Sequence, residues 1–330
     1  MRKMLKIVFA GTPIFTLPVL ELIAKEFSLV GVLTAPSKRQ GRKMEMKASD
    51  VFVYIELLKK NNVLPHDLPI FTPKEIDDEL ILSLASCHAD LLVCFAYGKI
   101  FPKKMLDVFR FGGINIHPSL LPRWRGPAPI PFAIYSGDTV AGISIQRIAE
   151  KMDTGNIVAQ KRFKIDREDT TESVLSSKVT SLSVELLSQV LINIDECIKN
   201  AQTQKEEEAT YSRLLKKEDG HINWERSAID IERQILAFTP WPGSHTFCNG
   251  KQLNIISAVA LDDAKQTTQY DKEEDFPCGS VTGKKNNEGI LVKTGSGLLC
   301  IRELQWQTKK VLQWKDFLNG TPSFIGSVLE

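Results

Sequence analysis

The sequence predicts an α/β protein of two domains, a mostly parallel sheet wrapped by helices followed by a smaller strand-rich unit. Three observations predict it. Over the first 200 residues, apolar runs of strand length alternate with stretches whose apolar residues recur at helical spacing, the pattern of a parallel sheet covered by helices. The segment Asn200–Thr210 is polar, nearly devoid of large apolar residues, and reads as a linker. Beyond it, short strands are separated by turn residues around a single helical pattern, which suggests a small barrel or sandwich. A length of 330 residues agrees with two domains at roughly 150 residues each.

The elements follow in order. Leu5–Ala10 reads as a fully buried strand. Thr12 is placed to cap a helix with Pro13 in its first turn, where a missing N–H costs nothing, and Phe15, Val19, Leu22 and Ile23 continue it at helical spacing. Leu29–Thr34 is the second strand, a basic loop follows, and Val51–Lys60 is a helix. Asp90–Ala96 is another buried strand and Gly112–His117 a shorter one. Gly142–Ile148 and Ile157–Ile165 are expected to pair antiparallel, and Thr171–Ile198 to form one long amphipathic helix. After the linker, Asp230–Phe238 is a helix, while Gly243–Ala258, Gly279–Thr282, Gly289–Thr294 and Leu298–Leu304 are strand material. Barrels with one helix recur among oligonucleotide-binding folds, although fold alone establishes no binding.

Composition sets limits. At 43% hydrophobic and 25% charged residues the chain sits near the globular average, which excludes a disordered, collagenous or acidic-tail protein. No apolar run approaches the ~20 residues that a membrane span needs. The opening apolar stretch stops at Gly11-Thr12-Pro13, too soon for a signal-peptide core, and a cytoplasmic protein is expected. The six cysteines lie far apart, with no Cys-x-x-Cys and no Cys/His pair at zinc spacing, so reduced thiols and no metal are expected. The first 200 residues carry four excess positive charges and the remainder two excess negative charges. Between Ala35 and Ser49 stand Lys38, Arg39, Arg42, Lys43 and Lys47 against the single acid Glu45. Such a loop can hold phosphates or can simply be a solvated surface.

The turn after the first strand has one glycine where a dinucleotide fingerprint needs Gly-x-Gly-x-x-Gly, and Pro13 removes a backbone donor that a phosphate would use. No Gly-x-x-x-x-Gly-Lys occurs, so neither NAD nor a P-loop nucleotide is expected. The informative stretch runs from Gly113 to Gly126. Side chains alternate along a strand, so Asn115 and His117 share a face, and Pro118 ends the strand and leaves both at its mouth. In open α/β sheets the carboxyl ends of strands are where ligands bind. An amide beside an imidazole can stabilise a developing oxyanion and move a proton, although the same residues could be a polar strand end bonded to nearby loops. Asp153, in Met152-Asp153-Thr154-Gly155, could orient that imidazole if the fold brings it there; otherwise Asp-Thr-Gly is a turn.

These residues carry a resemblance. Phe9-Ala10-Gly11-Thr12-Pro13, Ala96-Tyr97-Gly98, the Asn115-x-His117 pair, Ser119 to Pro129 and Met152-Asp153-Thr154-Gly155, with Trp241-Pro242-Gly243 and Asp316-Phe317-Leu318-Asn319-Gly320, resemble the folate-dependent formyltransferases from about residue 5 to the end of the chain. Arg123-Trp124-Arg125-Gly126 and the C-terminal pieces narrow the resemblance to the branch that acts on methionyl-tRNA.

The resemblance implies a Rossmann-like catalytic domain over residues 1–199, a linker over 200–210 and an OB-like β-barrel over 211–330 that binds tRNA. It implies passage of the formyl group of 10-formyltetrahydrofolate to the α-amino group of methionine on initiator tRNA, with neither metal nor NAD, by a monomer that needs no membrane. Asn115, His117 and Asp153 are implied as the catalytic trio, and Ser119, Leu120, Leu121 and Pro122 as the folate-binding loop. Phe15 matches an aromatic beside the methionine side chain. The basic loop is similar to the family's insertion that contacts the tRNA acceptor stem, with Arg42 best placed and Lys38, Arg39, Lys43 and Lys47 around it. Here it reads Gly-Arg-Lys-Met-Glu-Met-Lys, where the commoner pattern has Gly after Gly-Arg, then two lysines. Two alternatives remain open. One is a formyltransferase for a small amine, such as an amino-sugar nucleotide or glycinamide ribonucleotide; the other is a non-catalytic RNA-binding protein on the same scaffold.

Overall fold

A seven-stranded sheet organises the first part of the chain in the computed structural model, which describes residues 4–40, 44–261, 276–285 and 287–330. Its strands are β1 (Lys6–Gly11), β2 (Ser28–Leu33), β5 (Ile70–Phe71), β6 (Leu91–Phe95), β7 (Gly113–His117), β8 (Val140–Arg147) and β9 (Ile157–Lys164). A separate two-stranded ribbon, β3 (Lys38–Gln40) with β4 (Glu45–Lys47), lies between β2 and β5 in the chain. The sheet order is β5-β2-β1-β6-β7-β8-β9; the first five strands run parallel, and β8 and β9 are antiparallel to their neighbours. The expected antiparallel pairing of the last two strands is thus present.

Both faces of the sheet centre are covered, which is why β1 and β6 read as unbroken apolar runs rather than alternating ones. Val8, Ala10, Leu92 and Cys94 pack with Leu84 and Met105 on one side. Ile7, Phe9, Leu91, Val93 and Phe95 of the same strands are also fully or almost fully buried. The helix Asp50–Lys60 starts on Ser49, whose hydroxyl accepts the Phe52 N–H at 3.1 Å. Asp77 does the same for Asp78–Ser86 by accepting from Leu80 N–H at 2.9 Å.

Two helical expectations are corrected. Thr12 caps nothing: a short 3₁₀ turn, Ile14–Thr16, intervenes, and the first helix is Leu17–Glu26, with Pro18 in the first-turn place expected for Pro13. The expected single helix Thr171–Ile198 is instead a short turn, a π-helical turn Leu175–Val179, the helix Thr180–Ile192 and a short helix Ile194–Lys199. Within the π-turn the Thr180 hydroxyl donates to the Leu175 carbonyl at 2.7 Å, a side-chain bond that competes with the regular ladder.

The chain separates into two compact units. Unit 1 gathers residues up to Pro129, Val140–Lys164 and Leu175–Arg213, and unit 2 gathers Ile130–Thr139, Ile165–Val174 and the chain from Leu214 on. The stretch 200–210, linker-like in composition, is ordered along unit 1: Gln202 bridges Ile157 beside β9, and Tyr211 bridges Arg125. Its polar side chains make specific hydrogen bonds, so low apolar content here signals a strap rather than a free tether.

Unit 2 is built on an antiparallel sheet, β10 (Ser244–Cys248), β11 (Lys251–Leu261), β14 (Leu298–Trp306), β13 (Gly289–Lys293) and β12 (Val281–Lys285), with β15 (Leu312–Gln313) beside β14. The last residues pair with both edges, Leu329 with Cys248 and Val328 with Ser280, which closes the sheet into a barrel. The expected strand Gly243–Ala258 is a hairpin, β10 and β11, turning at Asn249-Gly250 with both residues at positive φ, 51° and 71°. That dipeptide is the strongest short hairpin signal and was legible in the sequence. The helix Ala228–Ala237 lays Ile231 and Ile235 on a core with Trp224, Leu253, Ile290 and Ile301.

Candidate active site

The strand order reverses between β1 and β6: the chain works outward through β2 and β5 on one side and through β7 on the other. The crevice beyond the carboxyl ends at such a point is where open α/β sheets take ligands. Phe15 follows β1 and meets Phe95 at the end of β6 edge to face, ring centroids 5.2 Å apart. His117 is the last residue of β7.

Antiparallel register builds the polar cluster. Asn115 of β7 stands opposite Gln146 of β8, and His117 opposite Ser144, so these four side chains share one face of the sheet. The Asp153 loop follows β8 and returns a carboxylate to that face. Asp153 Oδ1 accepts from Gln146 Nε2 at 2.7 Å and from Asn115 Nδ2 at 3.4 Å, and lies 3.6 Å from His117 Nδ1. Its Oδ2 accepts the Gly126 N–H at 2.9 Å. Asp153 holds φ at +55°, and Gly155 beside it approaches so closely that a Cβ there would lie 1.7 Å from the Arg147 carbonyl oxygen. Asn115, His117 and Asp153 are therefore brought together.

The imidazole is fixed from its other side. His117 is buried, and its Nε2 lies 2.9 Å from the Trp124 carbonyl, which can only accept, so Nε2 carries the proton and Nδ1 faces the carboxylate. Burial pushes the neighbouring Cys94 thiol up to about 12; the backbone at Tyr97 works against this and the Asp153 charge adds to it. That thiol stays protonated and is no nucleophile.

Ser119, Leu120, Leu121 and Pro122 form the loop directly after β7. The Ser144 hydroxyl donates to the Ser119 carbonyl at 2.6 Å and accepts the Leu121 N–H at 3.0 Å. Gln160 of β9 donates to the Leu121 carbonyl at 2.9 Å, and Leu120 lies against Gly142 of β8. The loop is thus pinned by both strands beyond β7, with Ser119 and Leu121 buried and Leu120 and Pro122 partly exposed. Behind it run Trp124, Arg125 and Gly126. Arg125 is 1% exposed, yet its guanidinium is matched by Glu206, Tyr211 and Gln204 of the strap. Burial disfavours its charge, and the Glu206 and Tyr211 hydrogen bonds outweigh that and raise its pKa.

Lys38, Arg39 and Lys47 all sit on the exposed β3–β4 ribbon, and register sets Lys38 directly opposite Lys47. Like charges in that relation repel. Arg42 and Lys43, expected to join them, lie outside the described residues.

Sequence reasoning missed Gln146, Gln160, Arg125 and Gln204. A signal for the first existed, because Ile143-Ser144-Ile145-Gln146 alternates and sets Ser144 and Gln146 on one face. Among the described residues no group of three His, Cys, Asp or Glu side chains gathers as a metal site, and no helix is long and apolar enough to cross a membrane.

The family model described as "Formyl transferase" matches residues 2–191, and "Formyl transferase, C-terminal domain" matches residues 214–322. A protein named methionyl-tRNA formyltransferase from Treponema denticola is 47% identical over 97% of this chain and 98% of its own. Among solved structures, a variant of HypX from Aquifex aeolicus matches with a TM-score of 0.61 at 17% identity, covering 98% of this chain; the chain spans 49% of that protein. The methionyl-tRNA formyltransferase of Clostridium thermocellum matches with a TM-score of 0.53 at 18% identity, over 79% of this chain and 95% of its own.

Proposed function

The chain belongs to the formyl transferase family, and from that premise we propose that it passes the formyl group of 10-formyltetrahydrofolate to the α-amino group of methionine on initiator tRNA. The product serves translation initiation, in the cytoplasm. The full-length relatedness to a methionyl-tRNA formyltransferase is the single observation that carries the substrate, and the convergence on Asp153 supports the chemistry.

The free amine attacks the formyl carbon, negative charge grows on the formyl oxygen, and the amine sheds a proton. Collapse of the tetrahedral intermediate then breaks the bond between the formyl carbon and N10, and N10 takes up a proton as tetrahydrofolate leaves. Among the described residues Asn115 Nδ2 makes one long contact, 3.4 Å, so it is the donor able to turn to that oxygen. His117 has an acceptor at each ring nitrogen, the Trp124 carbonyl and the Asp153 carboxylate, so the ring is oriented from both sides and stands ready to move a proton beside the oxyanion. The 3.6 Å separation from Asp153 leaves room to tighten when substrate binds, and the carboxylate then takes part in relaying the amine proton through water. The pinned Ser119–Pro122 loop offers the folate a fixed edge at Leu120 and Pro122. The Phe15–Phe95 pair supplies an apolar wall for the methionine side chain. Lys38, Arg39 and Lys47, with Arg42 and Lys43, meet the phosphates of the acceptor stem, and a tRNA anion between Lys38 and Lys47 relieves their repulsion.

The test sets charged initiator methionyl-tRNA beside small amine acceptors, with 10-formyltetrahydrofolate as donor. Transfer to methionyl-tRNA in large preference supports the reading; comparable or better transfer to an amino-sugar nucleotide or glycinamide ribonucleotide overturns it.

A further inference from the structure

Gln204 lies buried in the strap and uses its whole carboxamide. Nε2 donates to the Asp153 carbonyl at 2.9 Å and to the Gly155 carbonyl at 2.7 Å, one on each side of Thr154, while Oε1 accepts from Arg125 Nε at 3.0 Å. Chemistry fixes this orientation, because a flipped amide would press its oxygen on two carbonyls and its NH₂ on a guanidinium. Arg125 is locked in turn. Its Nη1 donates to both Glu206 oxygens, at 3.0 and 2.8 Å, and to the Tyr211 hydroxyl at 3.1 Å. The strap backbone brackets it as well: Arg125 N–H donates to the Thr210 carbonyl at 2.9 Å, and Ser212 N–H donates to the Arg125 carbonyl at 2.7 Å.

The Asp153 turn needs such a support. It holds a non-glycine residue at positive φ and a glycine pressed on backbone, a conformation that persists only where surroundings over-determine it. Gln146 holds its carboxylate from the front, and Gln204 holds its two carbonyls from behind.

We propose that Gln204, locked by Arg125, is a positioning residue for formyl transfer: it grips the 153–155 turn so that the Asp153 carboxylate keeps its place beside His117 and Asn115. The proposal rests on the reading of Asp153 as a member of the catalytic trio. Gln204→Glu is the incisive substitution, since it keeps size and the acceptor for Arg125 but turns both donors into acceptors facing carbonyls. A displacement near 1 Å at reacting groups costs on the order of 10²-fold, so kcat should fall roughly 10–100-fold. The KM values for folate and methionyl-tRNA should hold within about twofold, as the buried Gln204 amide is spent on Arg125 and on the Asp153 and Gly155 carbonyls. Glu206→Ala, on the exposed rim, loosens Arg125 without disturbing the buried amide and keeps the test valid if Gln204→Glu does not fold; a kcat loss of a few-fold with KM unchanged is expected.

A cycle with Asp153→Asn separates the outcomes. If Gln204 acts through the carboxylate, Gln204→Glu should add less than about twofold to the single-turnover loss in the Asp153→Asn background. The same 10–100-fold loss in both backgrounds, or a folded Gln204→Glu and a Glu206→Ala that both keep wild-type kcat, overturns the positioning role and leaves the trio standing. Wild-type turnover in Asp153→Asn alone overturns the trio, and the positioning role with it.

Discussion

Asn115 and Gln146 face each other across the antiparallel pair β7–β8, and both side-chain amides end on one oxygen of Asp153, at 3.4 and 2.7 Å. The shorter contact anchors the carboxylate, and the longer one leaves Asn115 able to turn toward a substrate oxygen. Asn115→Ala should therefore lose transition-state stabilisation rather than substrate affinity. Removing one such donor costs about 10²–10³ in kcat, and steady-state formyl transfer with near-normal KM is the expected result. A variant that loses affinity and keeps kcat would remove Asn115 from the chemistry.

His117→Ala should cost more than an oxyanion donor, because the imidazole also links Asp153 to the Trp124 carbonyl. Groups that move protons contribute typically ~10²–10⁴-fold. Circular dichroism and the thermal midpoint show whether the variant is folded, and a folded variant with near-normal turnover contradicts the assigned chemistry.

Legibility in the sequence followed the physics of each element. Buried parallel strands announce themselves as continuous apolar runs, so β1, β2 and β6 were readable to within a residue or so at each end. Asn115 and His117 were readable because strand alternation sets them on one face and Pro118 closes the strand. Asp153 was visible only as a turn motif; its arrival at His117 depends on β8 running antiparallel to β7, which single-strand patterning does not encode. Gln204 was least legible. Its segment looks like a tether because polar residues that make specific contacts and polar residues that stay in water have the same composition. The π-turn at Leu175–Val179 was hidden for a different reason, since the Thr180 hydroxyl bond to the Leu175 carbonyl, which competes with the regular ladder, leaves no mark in the apolar pattern.

Gly155→Ala should damage the Asp153 turn directly. The new Cβ would lie 1.7 Å from the Arg147 carbonyl oxygen, a backbone atom that cannot rotate away. Overpacking of this kind costs roughly 1–3 kcal/mol, occasionally more, so the thermal midpoint should fall by several degrees and turnover with it. An unchanged midpoint with full activity would mean that the turn is softer than its contacts imply.

Acid should loosen the strap at Glu206. Hydrogen bonds from Arg125 and then Tyr211 hold its pKa below the ordinary 4.5. A carboxylate with a lowered folded pKa contributes stability that is present above its unfolded value and lost as pH falls through the folded value. The stability difference between wild type and Glu206→Gln should thus be present above about pH 5 and shrink below 4.5. Denaturant titrations of both proteins across that range measure it. The difference is expected to be small, because the carboxylate is 72% exposed, and a difference independent of pH would detach Glu206 from the Arg125 lock.

The β3–β4 ribbon sets Lys38 against Lys47 with Arg39 next to them, all three exposed. Holding like charges opposite each other has a cost that a bound anion relieves. If that anion is the acceptor stem, neutralising Lys38, Lys47 or Arg42 should weaken tRNA binding and leave folate affinity unchanged. Phosphate contacts release counterions, so log affinity should fall linearly with log salt, and each lost contact should flatten the slope by roughly 0.7–0.9. The ribbon should also tighten when its repulsion is reduced: Lys47→Gln should stabilise the free protein slightly while it weakens tRNA binding. These two effects have opposite signs, which a solvated surface loop does not produce. The decisive comparison is tRNA affinity across a salt series for wild type, Lys47→Gln and Arg42→Ala. Equal affinities with equal slopes would reduce the ribbon to surface charge and bring a small-amine acceptor forward as the substrate.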